Sequence, residues 1–582
     1  MIVTFWKGVF VADSLDEKGA LKRAGFEMHE PTMCQLRPEV ICRACRAKIG
    51  RRWWTSRVEA ATRLKEFCNP RALGVMKNHL EMLKRSRATS SDIVVPTPPG
   101  LEFYPFQKAG IAYALQRKGT LIADDMGLGK SPQALGFMNY LKPKKTIIVC
   151  PNTLVFNWRN EAERWLTGFD FDLCIAESKN DVVPDHEGMV LITNYEKLIQ
   201  GSPLMESILK TSWDVGVFDE AQYIKNPDSA RSMAILAEDG VANRTNRQLF
   251  LTGTPIENYP REIWPIAAYL CPAKFGNWWD YARRYCSAHE VERSYLDKKS
   301  GEKRFRKVWV TEGASNLGEL QQRLRSSLMV RRRKVDVLPE IPPKIRQLVV
   351  LHDSKKDWSK DPRFQRWQSL YEKKIDEAEA KLEAAKSTDE YLELARQLDE
   401  VTGIAFEEIS TVRHEVALAK LPMCISYIKD VIAAGTTKNL VVFAHHRDVI
   451  DSLTEEFAAD AVVVHGGTPT KGPSSREAAV KAFQEGRKKI FIGQTRAAGV
   501  GLTLTAADTV VFVEVDWVPG VVTQCEDRLC RIGQKKMVHV IQLVLGGTVE
   551  VNMIKKLIKK QDVIDKALDR TTDVKLKKRS VA

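Results

Sequence analysis

The sequence has few of the segments that direct a chain to or through a membrane. No apolar run reaches the roughly 18 residues that a span requires. Residues 1–10 contain apolar side chains but no basic stretch and no cleavage site, so a secretory leader is not expected. No internal repeat or low-complexity tract is visible. Cysteine is sparse: 11 in 582 residues, an odd number, is no disulfide framework and fits a reducing cytosol. Acidic residues are the minority charge, 74 Asp and Glu against 89 Lys and Arg, for a net charge of +15. That imbalance points to a polyanionic partner, nucleic acid first, or to a generally basic solvated surface. A hydrophobic content of 44% and a charged content of 28% fit a soluble globular protein. The length allows several domains at roughly 100–200 residues each.

The chain is organised around residues 121–131, Leu-Ile-Ala-Asp-Asp-Met-Gly-Leu-Gly-Lys-Ser. A short apolar strand runs into a glycine-rich turn ending in Lys130-Ser131, and a helical segment follows. This is the layout of a phosphate-binding loop. Glycines let backbone N–H groups close around a phosphate, the lysine neutralises its outer oxygens and the hydroxyl holds Mg²⁺. Asp125, Met126, Gly127, Leu128, Gly129, Lys130 and Ser131 are therefore candidate nucleotide-binding residues. Asp124 stands where the usual pattern has its first glycine, and by itself the motif also suits an ordinary Gly-rich strand–helix turn.

Further signals follow in order. Upstream, Gln107 sits among Tyr104, Pro105 and Phe106, and a glutamine amide can pair with an adenine edge. Residues 146–151 read as a buried parallel strand, and 152–165, with Trp158, Arg159 and Arg164, as an amphipathic helix. Val215-Gly216-Val217-Phe218 is an apolar strand that ends in Asp219-Glu220. There Asp219 would hold Mg²⁺ and Glu220 would orient and deprotonate a water. Residues 248–258 give a strand entering a hydroxyl-rich turn, Thr252-Gly253-Thr254, suited to sensing a γ-phosphate. In the second half, strands are expected at 439–444, 462–464, 489–493 and 509–513. Small residues at 498–505, with Gly501, would let a phosphate approach closely. Gln524 begins a segment with Arg528 and Arg531 three apart, expected on one helical face. Planar guanidinium groups there would stabilise charge on a transferring phosphoryl group.

Residues 124–131, 219–222 and 251–258, in this order, resemble motifs I, II and III of superfamily 2 nucleic-acid motors. The Ile256-Glu257-Asn258 ending and residues 329–344, Met-Val-Arg-Arg-Arg-Lys-Val-Asp-Val-Leu-Pro-Glu-Ile-Pro-Pro-Lys, resemble the SNF2 branch, and 524–534 is similar to its motif VI. The resemblance covers about residues 100–560 and is nearest to the distant SNF2 branch that contains annealing helicases. It implies an α/β fold of two RecA-like parallel-sheet lobes with helical insertions. ATP and Mg²⁺ would be its cofactors and DNA its partner, read without sequence preference, double-stranded or branched. Gln222 departs from the histidine usual in SNF2 proteins, at a position that couples nucleotide state to the other lobe.

The organisation expected is an N-terminal accessory module at 1–95, a first lobe at 96–345 with a protrusion from about 260, a helical insertion at 346–415 and a second lobe at 416–582. Cys42-Arg43-Ala44-Cys45 has the form of one zinc knuckle, with Cys34 and His29 as a loose second pair; the other reading is free thiols. Trp53 and Trp54, after Arg51-Arg52, suit either the core of a small domain or a nucleic-acid contact. Residues 369–400 read as long exposed helices, and the lysine-rich tail 555–579 as a segment that folds back or meets DNA. The function expected is that of a monomeric, ATP-driven translocase on double-stranded DNA. A strand-separating helicase and a low-turnover ATP-gated clamp are the alternatives. The setting expected is bacterial or phage-infected cytoplasm, or the nucleus of a eukaryote.

Overall fold

The computed structural model describes residues 3–6, 9–12, 18–24, 26–28, 53–55, 61, 63–296, 303–342, 344–353, 357–360, 362, 365, 413–435, 437–469, 472–499, 502–514, 516, 518–548, 550–551, 554 and 568. Cys34, Cys42, Cys45, His29, Arg51, Arg52, Gly501, the whole of the 369–400 insertion and nearly all of the 555–579 tail lie outside them. The chain divides into two compact units, 1–88 with 322–329, and 89–321 with 330–582.

The first unit contains a small antiparallel sheet. Its strands β1 (Val3–Trp6), β2 (Val9–Ala12), β3 (Glu27–Met28) and β4 (Trp53–Thr55) take the order β1-β2-β4-β3. Trp53 and Trp54 thus lie on a strand paired with both β2 and β3. Helix Pro70–Ser86 starts where Asn69 accepts the N–H of Ala72, with proline at the first helical position. Val3, Phe10, Leu21, Phe26, Ala72 and Met76 form the unit's core.

The second unit holds two parallel sheets, each built as a RecA-like lobe. In lobe one, β5 (Gly119–Ile122), β6 (Lys145–Cys150), β7 (Asp172–Ile175), β8 (Met189–Asn194), β9 (Trp213–Asp219) and β10 (Thr245–Leu251) run in the order β5-β10-β9-β6-β8-β7. Buried on both faces, the central strands read as continuous apolar runs rather than alternating ones; Ile147, Ile148, Val149 and Cys150 are all inaccessible. The register matters for function. Leu251 pairs with Ile122 on one side and with Asp219 on the other. The carboxyl ends of β5, β10 and β9 therefore finish side by side, the edge where open α/β sheets bind ligands. A hairpin, β11 (His289–Leu296) and β12 (Lys303–Val310), follows β10, and the sheet gains its seventh strand, at the β5 edge, only after it. Beyond β13 (Met329–Val330), the Val330 carbonyl accepts the N–H of Ala123 at 2.8 Å and so reaches the end of β5.

Lobe two is formed by β14 (Lys344–Leu351), β15 (Leu440–Ala444), β16 (Ala461–Val464), β17 (Ile490–Gln494), β18 (Thr509–Phe512) and β19 (Val538–Leu545), in the order β14-β19-β18-β15-β17-β16. All its pairings are parallel. Its edge strand is taken from residues 344–351, ahead of the start expected at 416, because the β14 backbone pairs in parallel along its whole length with β19. No helix among the described residues is long and apolar enough to cross a membrane.

Candidate active site

After β5 the chain turns through 123–129 into helix Lys130–Leu141. Gly127 and Gly129 have φ of +82° and +73°, left-handed values that strain any residue with a Cβ. Space is short as well: a Cβ on Gly129 would lie 2.4 Å from Gln107 Nε2, and one on Gly127 3.0 Å from Arg531 Cγ. The loop and the helix N-terminus face a cavity of about 490 Å³. Gly100, Leu101, Tyr104 and Gln107 line one part, Lys130, Ser131, Asp219 and Glu220 another, and Arg528 and Arg531 the lobe-two side.

Two acids of the loop are occupied elsewhere. Asp124 is fully buried and accepts from Arg332 Nε at 2.9 Å, Arg332 Nη2 at 2.6 Å and Gln133 Nε2 at 3.0 Å. Asp125 accepts from Arg331 Nη2 and from the N–H of Lys334, each at 3.0 Å. Of the residues expected to meet nucleotide, Asp125 and Leu128 are not on the cavity wall, whereas Met126, Gly127, Gly129, Lys130 and Ser131 are. Gln107 is on the wall, but its amide is engaged by the chain: Oε1 accepts the N–H of Tyr104 and Nε2 donates to Leu128 O. It ties the wall to the loop.

Lys130 Nζ lies 3.1 Å from Asp124 O. Burial lowers its pKa, opposed by the charges of Glu220 and Asp219. At the end of β9, Asp219 accepts the Trp158 indole N–H at 2.8 Å and the Glu220 N–H at 2.9 Å. Burial, then the charge of Glu220, pushes the Asp219 carboxyl well above the usual range. Glu220 itself has φ +49°, left-handed for a residue with a side chain, a conformation held by its surroundings. Two adjacent buried carboxylates and the hydroxyl of Ser131 line the same cavity, and hard oxygen donors of this kind suit Mg²⁺.

The lobe-two arginines are not on a helix, contrary to the sequence expectation. Helix Pro519–Glu526 ends first, and both lie in the turns that follow. The reason lies far along the chain: Asp527 and Glu526 are drawn into ion pairs with Lys344, and the turn that follows reaches Gly533, which has φ +99°. Arg528 Nε donates to Gln524 O at 3.1 Å, and its Nη2 lies 3.5 Å from Met126 Sδ in lobe one. Arg531 Nη1 donates to Leu502 O at 3.1 Å and Thr503 Oγ1 at 3.0 Å. Burial, then the charge of Arg528, lowers the Arg531 pKa to about 10, which leaves it charged at neutral pH.

Residues 48–403 match the SNF2-related domain, and 423–533 match the helicase conserved C-terminal domain. The chain belongs to the SNF2-related family. Among curated proteins it is 33% identical over 474 residues to the DNA annealing helicase and endonuclease ZRANB3 of Bos taurus, covering 80% of this chain and 40% of that protein. It is 30% identical to the SWI/SNF-related matrix-associated actin-dependent regulator of chromatin subfamily A-like protein 1 of Xenopus tropicalis, covering 78% of this chain and 43% of the relative. The chain thus spans under half the length of these relatives.

With the SNF2 assignment in hand, the departure at Gln222 can be placed. Gln222 Nε2 donates to Glu220 Oε2 at 2.8 Å, while its Oε1 accepts from Thr252 Oγ1 at 2.6 Å. Thr252 Oγ1 in turn accepts the N–H of Thr254 at 3.0 Å, and Thr254 Oγ1 accepts from Gln524 Nε2 at 3.0 Å. An unbroken hydrogen-bonded path therefore runs from Glu220 to lobe two. Gln524 lies off the cavity wall and takes part through this path. Residues not singled out as site candidates from the sequence include Trp158, which holds Asp219, and Asn157 and Glu161, which line the wall. All three lie on helix Val155–Trp165, and only its amphipathic pattern was visible beforehand.

Proposed function

We propose that this chain is an ATP-dependent DNA translocase of SNF2 type, which hydrolyses ATP to move on double-stranded DNA and to remodel DNA structures or protein–DNA complexes. The observation that carries the reading is the shared cavity. The loop lysine and the paired carboxylates come from lobe one, and two arginines come from lobe two. A site divided in this way completes itself only when the lobes meet, which converts hydrolysis into lobe movement.

In this reading Gly127, Gly129, Lys130 and Ser131 hold the phosphates, Met126 packs beside Arg528 at the same end, and Gln107 shapes the base end. Ser131 and Asp219 would hold Mg²⁺, which neutralises phosphate charge when bound. Glu220 orients the attacking water and takes its proton. Arg528 and Arg531 stabilise charge on the departing γ-phosphoryl, and Gln524 reports the state of Thr254. The motor comprises the lobes assigned to 96–345 and 416–582 together with β14, and 1–95 serves as an accessory module. Tracking along a phosphate backbone suits the net charge of +15 and needs no base readout. The names of the relatives, an annealing helicase and endonuclease among them, favour DNA as the substrate. Work on DNA would place the chain in the nucleus of a eukaryote or in the cytoplasm of a bacterium.

The test is ATPase activity with and without duplex, forked and single-stranded DNA. The parent should be stimulated by duplex or forked DNA, and Lys130→Ala and Glu220→Gln should both lose turnover. Full activity in both variants would refute the reading. Of the alternatives, the low-turnover clamp would need the glutamine at 222 to uncouple the site, and the bonds of Gln222 to Glu220 and Thr252 speak for coupled turnover instead.

A further inference from the structure

Residues 331–346 are the covalent passage from lobe one to lobe two, and they grip both halves of the site. At the loop end, Arg332 is ion-paired with Asp124 and Arg331 with Asp125. Arg331 also donates to Ala123 O at 2.7 Å. Leu338 is buried against Phe106 and Leu128, so the passage packs on the loop as well as bonding to it. At the other end, Lys344 pairs with Asp527 at 2.5 Å and with Glu526 at 3.1 Å. Arg346 adds a two-pronged contact to Glu526, at 2.8 and 2.6 Å.

One residue spans the gap. The backbone N–H of Lys334 donates to Asp125 Oδ2 at 3.0 Å in the nucleotide loop. Its ammonium donates to Asp527 Oδ1 at 2.8 Å and to Cys530 O at 2.6 Å. Asp527 and Cys530 are the residues immediately before Arg528 and Arg531. Lys334 therefore holds the chain just ahead of each lobe-two arginine while it is tied to the loop those arginines cover. Its side chain is buried, and so are both acids at the lobe-two end. Ion pairs with this little solvent are stiff, and removing one partner is far more disruptive than breaking a surface pair.

We infer that residues 331–346 act as a strut that sets Arg528 and Arg531 over the nucleotide loop, with Lys334 as a positioning residue for hydrolysis and Lys344 supporting it. The inference rests on the ATPase reading above and adds a second link between the half-sites besides the path through Gln222. Tied at both ends, the strut limits where the arginines come to rest over the loop when the lobes meet. Misplacement of a reacting group by about 1 Å costs rate rather than affinity.

The experiment uses the full-length chain with Lys334→Met, and measures ATPase kcat and KM, binding of a fluorescent ATP analogue and thermal unfolding. The expected result is a kcat lower by about 10–100-fold, with KM and analogue affinity changed by less than about threefold. Arg528→Ala should cost much less in the Lys334→Met background than in the parent, since a displaced arginine has little left to lose. If Lys334→Met fails to fold, Lys344→Gln, at the partly accessible end of the strut, decides by the same measurements. An unchanged kcat, or costs of Lys334→Met and Arg528→Ala that simply multiply, would overturn the strut while leaving the ATPase reading intact. A parent chain without ATPase activity would overturn both.

Discussion

Asp124 offers the sharpest test of how this loop is held. The usual phosphate-loop pattern has glycine at that position, so motif logic alone predicts that Asp124→Gly is harmless or beneficial. The structure predicts the opposite. The Asp124 side chain is fully buried against an Arg332 side chain that is only 2% accessible. Four donors converge on its carboxylate: Arg332 N, Nε and Nη2, and Gln133 Nε2. Deleting it leaves a guanidinium buried without its counter-ion, a change that typically costs about 3–5 kcal/mol. Glycine adds roughly 0.5–1 kcal/mol of backbone entropy. The sum is a large share of the roughly 5–15 kcal/mol that stabilises a domain. Urea unfolding of the full chain, followed by tryptophan fluorescence, would report it, because Trp158 and Trp213 lie buried in lobe one. Asp124→Asn, which keeps the shape and loses the charge, should fall between. Asp124→Gly combined with Arg332→Met should recover part of the loss, since the guanidinium left without its counter-ion is then removed as well. An Asp124→Gly chain within about 0.5 kcal/mol of the parent would refute the reasoning.

Other outcomes can be read from the same geometry. Gln222→Leu deletes the bonds to Glu220 and Thr252 together, and should lower kcat by roughly 10–100-fold with little change in KM for ATP; a change confined to KM would show that the path carries no coupling. Trp158→Phe keeps an aromatic ring, though a smaller one, and removes the donor to Asp219. Its ATPase rate should fall by about tenfold, with a higher Mg²⁺ requirement, and an unaltered Mg²⁺ titration would reduce Trp158 to a packing role. In lobe two, burial raises the Glu514 pKa, but the His446 side chain and the N–H groups of His446 and His445 outweigh it and hold the value at about 2, against an ordinary 4.5. A depressed carboxyl pKa stabilises the fold above the unfolded value. About 3 kcal/mol should therefore be present above pH 4.5 and be lost as the pH falls toward 2. A Glu514→Gln chain whose stability shows the same acid dependence as the parent would contradict this.

The order of the site's parts was legible in the sequence because each part is contiguous. A glycine loop, a strand ending in Asp219-Glu220 and the Arg528/Arg531 segment each carry their chemistry within a few residues, and long apolar strands announce a parallel sheet. What the sequence could not rank was which acids of the loop serve the nucleotide. Asp124 and Asp125 are adjacent to Met126, yet their carboxylates turn away to Arg332 and Arg331, more than 200 positions along the chain. The helical spacing of Arg528 and Arg531 misled for a related reason. Lys334 and Lys344 draw Asp527 into long-range ion pairs, and no local periodicity records them. Trp158 read as one apolar face of a helix, since nothing near it in sequence shows that its indole N–H meets Asp219.

The sequence by itself determined the two-lobed α/β fold, the candidate loop lysine and carboxylate pair, and the basic balance that suits DNA. These follow from local pattern and from composition. Tertiary structure alone decided that one cavity joins the lobes, that Gln222 connects Glu220 to Thr252, and that residues 331–346 clasp the loop at one end and the arginine-bearing turn at the other. Each of these depends on buried charges meeting partners far away in the chain. Desolvation makes such meetings obligatory in the folded state, and the same distance along the chain leaves them unwritten in any short stretch of sequence.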